Sequence, residues 1–251
     1  MKNKKILILV LAYNAETTIL EVLKRIPNSI WEEADILVAD DASYDKTADV
    51  AEKYKNENKV NNIKIIHHNI NKGYGGNQKW CYNYAIKEGY DIAVMVHGDI
   101  QYAPENIPEL IKPLQEDSAD FVFGSRMTGH PIKGGMPIYK YIGNKFLTLV
   151  ENIILGTNFS EFHSGFRAYS MQALKDIPFN LDADDFHFDS EIIMQLVIAK
   201  KKIKEITITT FYGKEICYVN VVTYGLNILK ILFQYILTKS GVKKYNKFII
   251  K

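Results

Sequence analysis

Asp99 stands in the run His97-Gly98-Asp99-Ile100-Gln101. A carboxylate and an amide oxygen two residues apart are hard donors that suit Mg2+ or Mn2+, with phosphate oxygens completing the shell. The bland alternative is a solvated turn in which Asp99 caps the helix that Pro104 opens. Asp40 and Asp41 lead a second polar run, Asp40-Asp41-Ala42-Ser43-Tyr44-Asp45-Lys46-Thr47. There a carboxylate can accept from ribose hydroxyls or a base N–H, while Ser43 or Asp45 caps the next helix. Lys72-Gly73-Tyr74-Gly75-Gly76-Asn77 opens a helix whose free N–H groups suit an anion. It matches neither the dinucleotide fingerprint nor the P-loop. Arg126 and Arg167 are candidate phosphate clamps, with a surface ion pair as the alternative for each. Asp189 continues the inward stripe of Ile192, Ile193 and Leu196 and is a candidate general base. Glu191 lies about 200° away around the same helix and should not share its cleft. Asp184 and Asp185 are expected to cap that helix, and His67, His68 and His163 show no metal-ligand spacing.

Elements that alternate regularly must place these groups. Apolar runs at Lys5 to Ala12, Asp35 to Ala39, Ile63 to His67, Asp91 to Val96 and Asp120 to Gly124 read as strands. Between them, Glu16 to Ile26, Thr47 to Glu57, Gly73 to Glu88 and Pro104 to Glu116 read as helices. This βα alternation predicts a parallel sheet with helices on its faces. Ligands on such sheets bind beyond the carboxyl ends of the strands, where every run named above falls. Further on, Gly129 to Pro137 is a loop, a helix follows to Leu155, and Ser160 to Ser170 reads as a polar-aromatic connection. A helix over Asp185 to Ala199 and a strand over Ile203 to Thr209 complete the body.

The expected division is a single catalytic domain over 1–215, with a nucleotide-binding half at 1–127 and an acceptor half at 128–215, then a tail at 216–251. The tail carries six lysines and no acidic residue. Its polar residues Asn220, Thr223, Asn227, Lys230, Gln234 and Thr238 form one narrow stripe on an otherwise apolar helix. Such a helix must bury most of its circumference in the core, against a second subunit, or in an anionic bilayer surface. No uncharged run of about 18 apolar residues marks a membrane span. The two cysteines, Cys81 and Cys217, exclude a disulfide scaffold and suit a reducing compartment. Nucleic acid is not expected as a partner, because the tail is too apolar and lacks a recognisable motif.

Taken together and in order, six motifs resemble the family-2 glycosyltransferases, in particular the dolichyl- or polyprenyl-phosphate sugar transferases. They are Ala12-Tyr13-Asn14-Ala15-Glu16, Asp40-Asp41-Ala42-Ser43 with Asp45 and Thr47, Asn71-Lys72-Gly73, Asp99-Ile100-Gln101 with Pro104-Glu105, Gly124-Ser125-Arg126, and Ser164-Gly165-Phe166-Arg167. The resemblance implies an α/β GT-A fold, a UDP- or GDP-linked sugar donor, a divalent ion (Mg2+ or Mn2+) and inversion at the anomeric carbon. By it, Ala12, Tyr13, Asn14, Glu16, Asp40, Asp41, Lys72, Gly73, His97 and Gly98 would surround the nucleotide sugar. Asp99 and Gln101 would hold the metal, Arg126 would face the diphosphate, and Ser164 to Arg167 would face the acceptor. The chain departs from the family pattern where an Asp-x-Asp reads His97-Gly98-Asp99, and where Leu11 replaces a proline. His97 could then donate to the ribose or ligate the metal through nitrogen. A lipid phosphate needs no general base, whereas a saccharide hydroxyl does, and Asp189 would serve it. The expected setting is the cytoplasmic membrane face, with peripheral contact or a homodimer through the tail helix. The rival classes are a sugar-phosphate nucleotidyltransferase, which should carry a Gly- and Arg-rich loop after the first strand, and a non-catalytic nucleotide-sugar-binding protein.

Overall fold

The structure, a computed structural model, describes residues 4–210 and 219–250. Positions 216 to 218 of the tail, with Cys217, and Lys251 lie outside the described residues. Seven strands form one sheet: β1 (Ile6–Ala12), β2 (Ala34–Asp40), β3 (Ile63–His67), β4 (Ile92–His97), β5 (Phe121–Ser125), β6 (Arg167–Ser170) and β7 (Ile203–Thr207). Their order is β3-β2-β1-β4-β6-β5-β7. All pairs are parallel except those of β6, which runs antiparallel between β4 and β5. β1 lies inside the sheet, between β2 and β4, and every one of its residues is buried. Ile6, Ile8 and Val10 pack in one layer, Leu7, Leu9 and Leu11 in the other, as period-2 alternation requires of a strand covered on both faces.

The described helices are α1 (Ile19–Arg25), α2 (Asn28–Glu33), α3 (Thr47–Asn58), α4 (Tyr74–Lys87), α5 (Ile107–Gln115), α6 (Ile138–Leu155), α7 (Met171–Lys175), α8 (Phe188–Ile198) and α9 (Val221–Lys239). α1 and α5 cover the first face of the sheet, and α4, α7 and α8 cover the second. The sequence expectation of a mostly parallel α/β sheet holds. It missed β6, because a four-residue strand is too short to show a period.

Three helices start about a turn later than expected: α5 at Ile107, after a 3-10 turn over Pro104–Asn106, and α1 and α8. α1 begins at Ile19, not Glu16, because Glu16 ties two loops together. Its backbone N–H donates to Asp45 (3.1 Å) and its carboxylate accepts from Lys46 N–H (3.2 Å). α8 begins at Phe188, and Asp184 and Asp185 do not cap it. Asp184 pairs with Lys79 at 2.6 Å, and Asp185 accepts from the N–H of Phe186 at 2.7 Å.

α6 and α9 pack against each other, both turn apolar side chains outward, and α6 has an inverted pattern. The buried residues of α6 are polar: Asn144, Thr148 and Glu151. Ile138, Ile142, Phe146, Leu149 and Ile153 of the same helix are exposed. α9 buries Ile228, Ile231 and Leu232 against the body and turns Val222, Leu226, Leu229, Phe233 and Ile236 outward. By length and composition α9 is also apolar enough to cross a membrane. Lys230 interrupts the run, which is why a search for uncharged stretches passes over it.

Candidate active site

The ends of β1, β2 and β4 open into a cavity of about 890 Å³. Ala12, Tyr13, Asp41, Gly73, His97, Gly98, Asp99, Gln101, Arg126, Gly165 and Asp189 line it, so the structure gathers most of the residues singled out by the sequence. Asn14, Glu16, Asp40, Lys72, Ser164, Phe166 and Arg167 do not line it, and Glu16 and Lys72 are exposed to solvent.

Of the acidic pair, Asp41 faces the cavity and Asp40 does not. Asp40 is fully buried and accepts from the side chain and backbone N–H of Ser43, with His67 Nδ1 at 2.7 Å. Asp41 accepts from the Lys72 N–H at 2.8 Å. Burial raises its pKa, and the Lys72 hydrogen bond only partly opposes that. Asn14 sits at φ 50° and stitches the same loops together. Its N–H donates to Ser43 Oγ (2.8 Å) and its side-chain oxygen accepts from Tyr44 N–H (3.0 Å).

The glycine-rich start of α4 is not a free anion site. The N–H groups of Gly75 and Gly76 donate to the Asp184 carbonyl at 2.8 and 3.3 Å, and Gly73 N–H donates to Asn71. These glycines permit close packing instead. A Cβ on Gly75 would lie 2.4 Å from the Ala183 carbonyl oxygen, and one on Gly73, at φ +77°, would lie 2.6 Å from that of Asp184.

Arg126 ends β5 and lines the cavity, but its charge is matched from behind. Its Nε and Nη2 donate to Glu161, its backbone N–H reaches the same carboxylate at 2.8 Å, and Nη2 donates to the His163 carbonyl at 2.9 Å. Burial opposes ionisation of Glu161, and the charge and hydrogen bonds of Arg126 outweigh it, so its pKa lies below the ordinary value. Asn144 of α6 donates to Glu161 as well, at 2.8 Å. His163 bonds Tyr224 of α9 at 2.8 Å, and its Nε2 lies 3.2 Å from Glu151 without hydrogen-bond geometry. The polar inner face of α6 and Tyr224 of α9 therefore meet the far wall of the cavity.

Arg167 is corrected from a clamp to a buried brace. It has no exposed surface and donates to the carbonyls of Ser164, Phe162 and Asp189 at 2.6 to 2.9 Å. Its Nη1 also lies 3.3 Å from the Asp189 carboxylate. Asp189 reaches the cavity wall as its place in the stripe implied, and Glu191 turns away into an ion pair with Lys247. Both Asp189 oxygens are occupied: Tyr74 Oη donates to one (2.9 Å) and Gln78 to the other (3.2 Å).

Sequence reasoning assigned no role to Tyr74, Tyr102, Asn144, Glu161 or Tyr224, although Tyr74 lies in the glycine-rich run named above. The fold brings Tyr74, Tyr102, Asn144 and Tyr224 to the cavity and sets Glu161 behind Arg126. Tyr102 accepts the Gly165 N–H at 2.9 Å and stacks on Phe166.

For a divalent ion, Asp99 Oδ2, Gln101 and His97 are the donors at hand. Asp99 Oδ1 takes the Gln101 N–H at 3.0 Å, and His97 Nδ1 lies 4.0 Å from Asp99 Oδ2. No group of three His, Cys, Asp or Glu side chains converges among the described residues. This open donor set fits an ion whose shell is completed by phosphate oxygens.

The family described as glycosyl transferase family 2 matches residues 7–178. UDP-N-acetylglucosamine–dolichyl-phosphate N-acetylglucosaminyltransferase of Methanococcus voltae is 32% identical, covering 96% of this chain and 98% of that one. Undecaprenyl-phosphate mannosyltransferase of Micrococcus luteus is 27% identical over 82% of this chain and 83% of that one. Among solved structures, glucosyl-3-phosphoglycerate synthase of Mycobacterium tuberculosis, crystallised with Mn2+, UDP and glucosyl-3-phosphoglycerate, superposes with TM-score 0.67 at 17% identity. The superposition covers 96% of this chain and 81% of that chain, and it supports the GT-A fold. The strand-end cavity, the order of its motifs and these likenesses agree: the chain belongs to glycosyl transferase family 2, in its polyprenyl-phosphate sugar transferase branch, and is a glycosyltransferase.

Proposed function

We propose that the protein transfers a sugar, with inversion, from a nucleoside diphosphate sugar to a polyprenyl phosphate at the cytoplasmic face of a membrane. The observation that carries this reading is the apolar outer surface shared by α6 and α9. Their outer faces are apolar, and Tyr139, Val221 and Val222 at the ends of those faces also line the cavity. An apolar surface that runs into a polar cavity suits an acceptor with a long hydrocarbon chain and a charged head. Lys230, Lys239, Lys243 and Lys244 add positive charge along and after α9, which favours an anionic surface. The names of the relatives point the same way.

In this reading Tyr13 and Asp41 border the nucleoside. An Mg2+ or Mn2+ ion held by Asp99 and Gln101 would offset charge on the leaving diphosphate. Arg126 presents a guanidinium that Glu161 holds in one orientation. The acceptor's phosphate oxygen forms the new bond to the anomeric carbon as the bond to the diphosphate breaks, and the nucleoside diphosphate departs. A phosphate nucleophile has no proton to lose. This agrees with an Asp189 carboxylate that is already engaged on both oxygens.

The test is release of nucleoside diphosphate from UDP- and GDP-sugars with Mn2+, with and without polyprenyl phosphate, in wild type and Asp99→Ala. Release that needs the lipid and falls in the variant supports the reading. Release driven by a saccharide instead, and lost in Asp189→Asn, would replace it with a hydroxyl acceptor.

A further inference from the structure

His97 stands where the family motif has a carboxylate, and the fold holds its ring firmly. Tyr74 and Tyr102 meet it edge-on, with centroids 5.5 and 5.2 Å away. Gly165 closes the third side: a Cβ there would lie 2.5 Å from His97 Cε1 and 2.6 Å from Nε2. His97 Nε2 is 3.1 Å from Tyr74 Oη, and that hydroxyl is 2.9 Å from Asp189 Oδ2.

The direction of these two hydrogen bonds follows from chemistry. The Asp189 carboxylate, beside buried Arg167, only accepts. The one phenolic proton of Tyr74 is therefore committed to Asp189. Toward His97 the phenol oxygen can only accept, so Nε2 carries the imidazole proton. With Nε2 engaged as the donor, Nδ1 is the nitrogen left to coordinate, and it faces Asp99 Oδ2 across 4.0 Å. Donors bound roughly 2.1 Å from one small ion sit about 3 Å apart when adjacent and about 4 Å apart when opposite. The observed separation lies in that range, and Asp99 is half exposed and can adjust.

We propose that His97 Nδ1 and Asp99 form a mixed nitrogen–oxygen ligand pair for the divalent ion, with Tyr74 and Asp189 as the outer groups that fix the imidazole tautomer. The inference rests on the ion assigned above to Asp99. It deepens that reading by stating which metal the site selects. Mg2+ takes oxygen ligands, whereas imidazole nitrogen favours transition ions, so this pair selects Mn2+ over Mg2+. A carboxylate–tyrosine–histidine chain is a variant of the outer-shell partners that commonly orient metal-bound histidines. Tyr74 and Asp189 are positioning residues in this scheme.

The test is pulsed electron paramagnetic resonance of Mn2+ bound with UDP or GDP. The protein is prepared with 14N- or 15N-histidine, as wild type, His97→Asp, His97→Gln and Tyr74→Phe. Wild type should show a histidine nitrogen coupling that switches with the isotope. His97→Asp and His97→Gln should keep bound Mn2+ and lose the coupling. The ratio of Mn2+ to Mg2+ affinity should fall at least tenfold in His97→Asp. Tyr74→Phe should keep the coupling with weaker Mn2+ binding. Bound Mn2+ without histidine coupling in wild type, or an unchanged ratio in His97→Asp, overturns the ligand assignment alone. Mn2+ binding that is indifferent to Asp99→Ala overturns it together with the Asp99 metal site.

Discussion

Replacing Arg167 by Met separates two roles that the sequence could not distinguish. As an acceptor clamp, Arg167 would matter for turnover and little for stability. The structure gives it no exposed surface and commits it to three backbone carbonyls and the Asp189 carboxylate. Methionine preserves much of the volume but leaves those carbonyls and a buried carboxylate without their donor. Breaking a buried charge pair from one side costs about 3–5 kcal/mol. For a chain of this size each kcal/mol moves Tm by roughly 2–4 °C, so the fall should be about 6–20 °C. Thermal unfolding followed by circular dichroism reads this directly, with nucleotide binding measured well below the transition. A Tm within about 2 °C of wild type, combined with lost transfer, would refute the brace and restore the clamp.

Other expectations follow from features elsewhere in the fold. Asp182 is buried beside Glu191, and burial first, then the Glu191 charge, raises its pKa to about 9. The folded state therefore keeps a proton that the unfolded chain releases above its ordinary carboxyl pKa. Stability from this group falls as pH rises from about 4 toward 9, at roughly 1 kcal/mol per pH unit. Asp182→Asn should flatten the decline in denaturation midpoint between pH 6 and 8, and parallel slopes for the two proteins would contradict the assignment. Ile142→Glu with Phe146→Glu should change stability by only about 0.5 kcal/mol per site, because both positions are exposed. The double variant should lose sedimentation with anionic vesicles and at least tenfold of lipid-dependent transfer; unchanged sedimentation would count against the apolar face. Gly165→Ala should displace the His97 ring, cost about 1–3 kcal/mol, and weaken Mn2+ binding while the fold persists. Calorimetric Mn2+ titration that matches wild type would show that the ring is not fixed from that side.

The fold was legible because β1, β2, β4 and β5 are largely buried and short, so each wrote an apolar run into the sequence, and the edge strand β3 kept enough of one to be read. The residues at their ends were legible for the same reason: a polar residue directly after a buried strand has few structural excuses. β6 left no such trace, and Arg167 looked like a ligand because charge in a sequence does not show whether carbonyls surround it. The Asp40-Asp41 pair shows the same limit. Adjacent strand residues point to opposite sides, and only the contact with His67 tells which one is turned away. The Glu161 partner of Arg126 was out of reach altogether, since 35 residues separate the two along the chain.

The apolar outer faces of α6 and α9 have a kinetic consequence. If they rest on a bilayer, the two substrates reach one cavity from spaces of different dimension. The sugar donor arrives through water, at a rate set by its bulk concentration. The lipid acceptor arrives by diffusion within a sheet, at a rate set by its mole fraction among other lipids. Adding inert lipid at fixed total acceptor would then slow transfer as the surface is diluted, although nothing in the aqueous phase has changed.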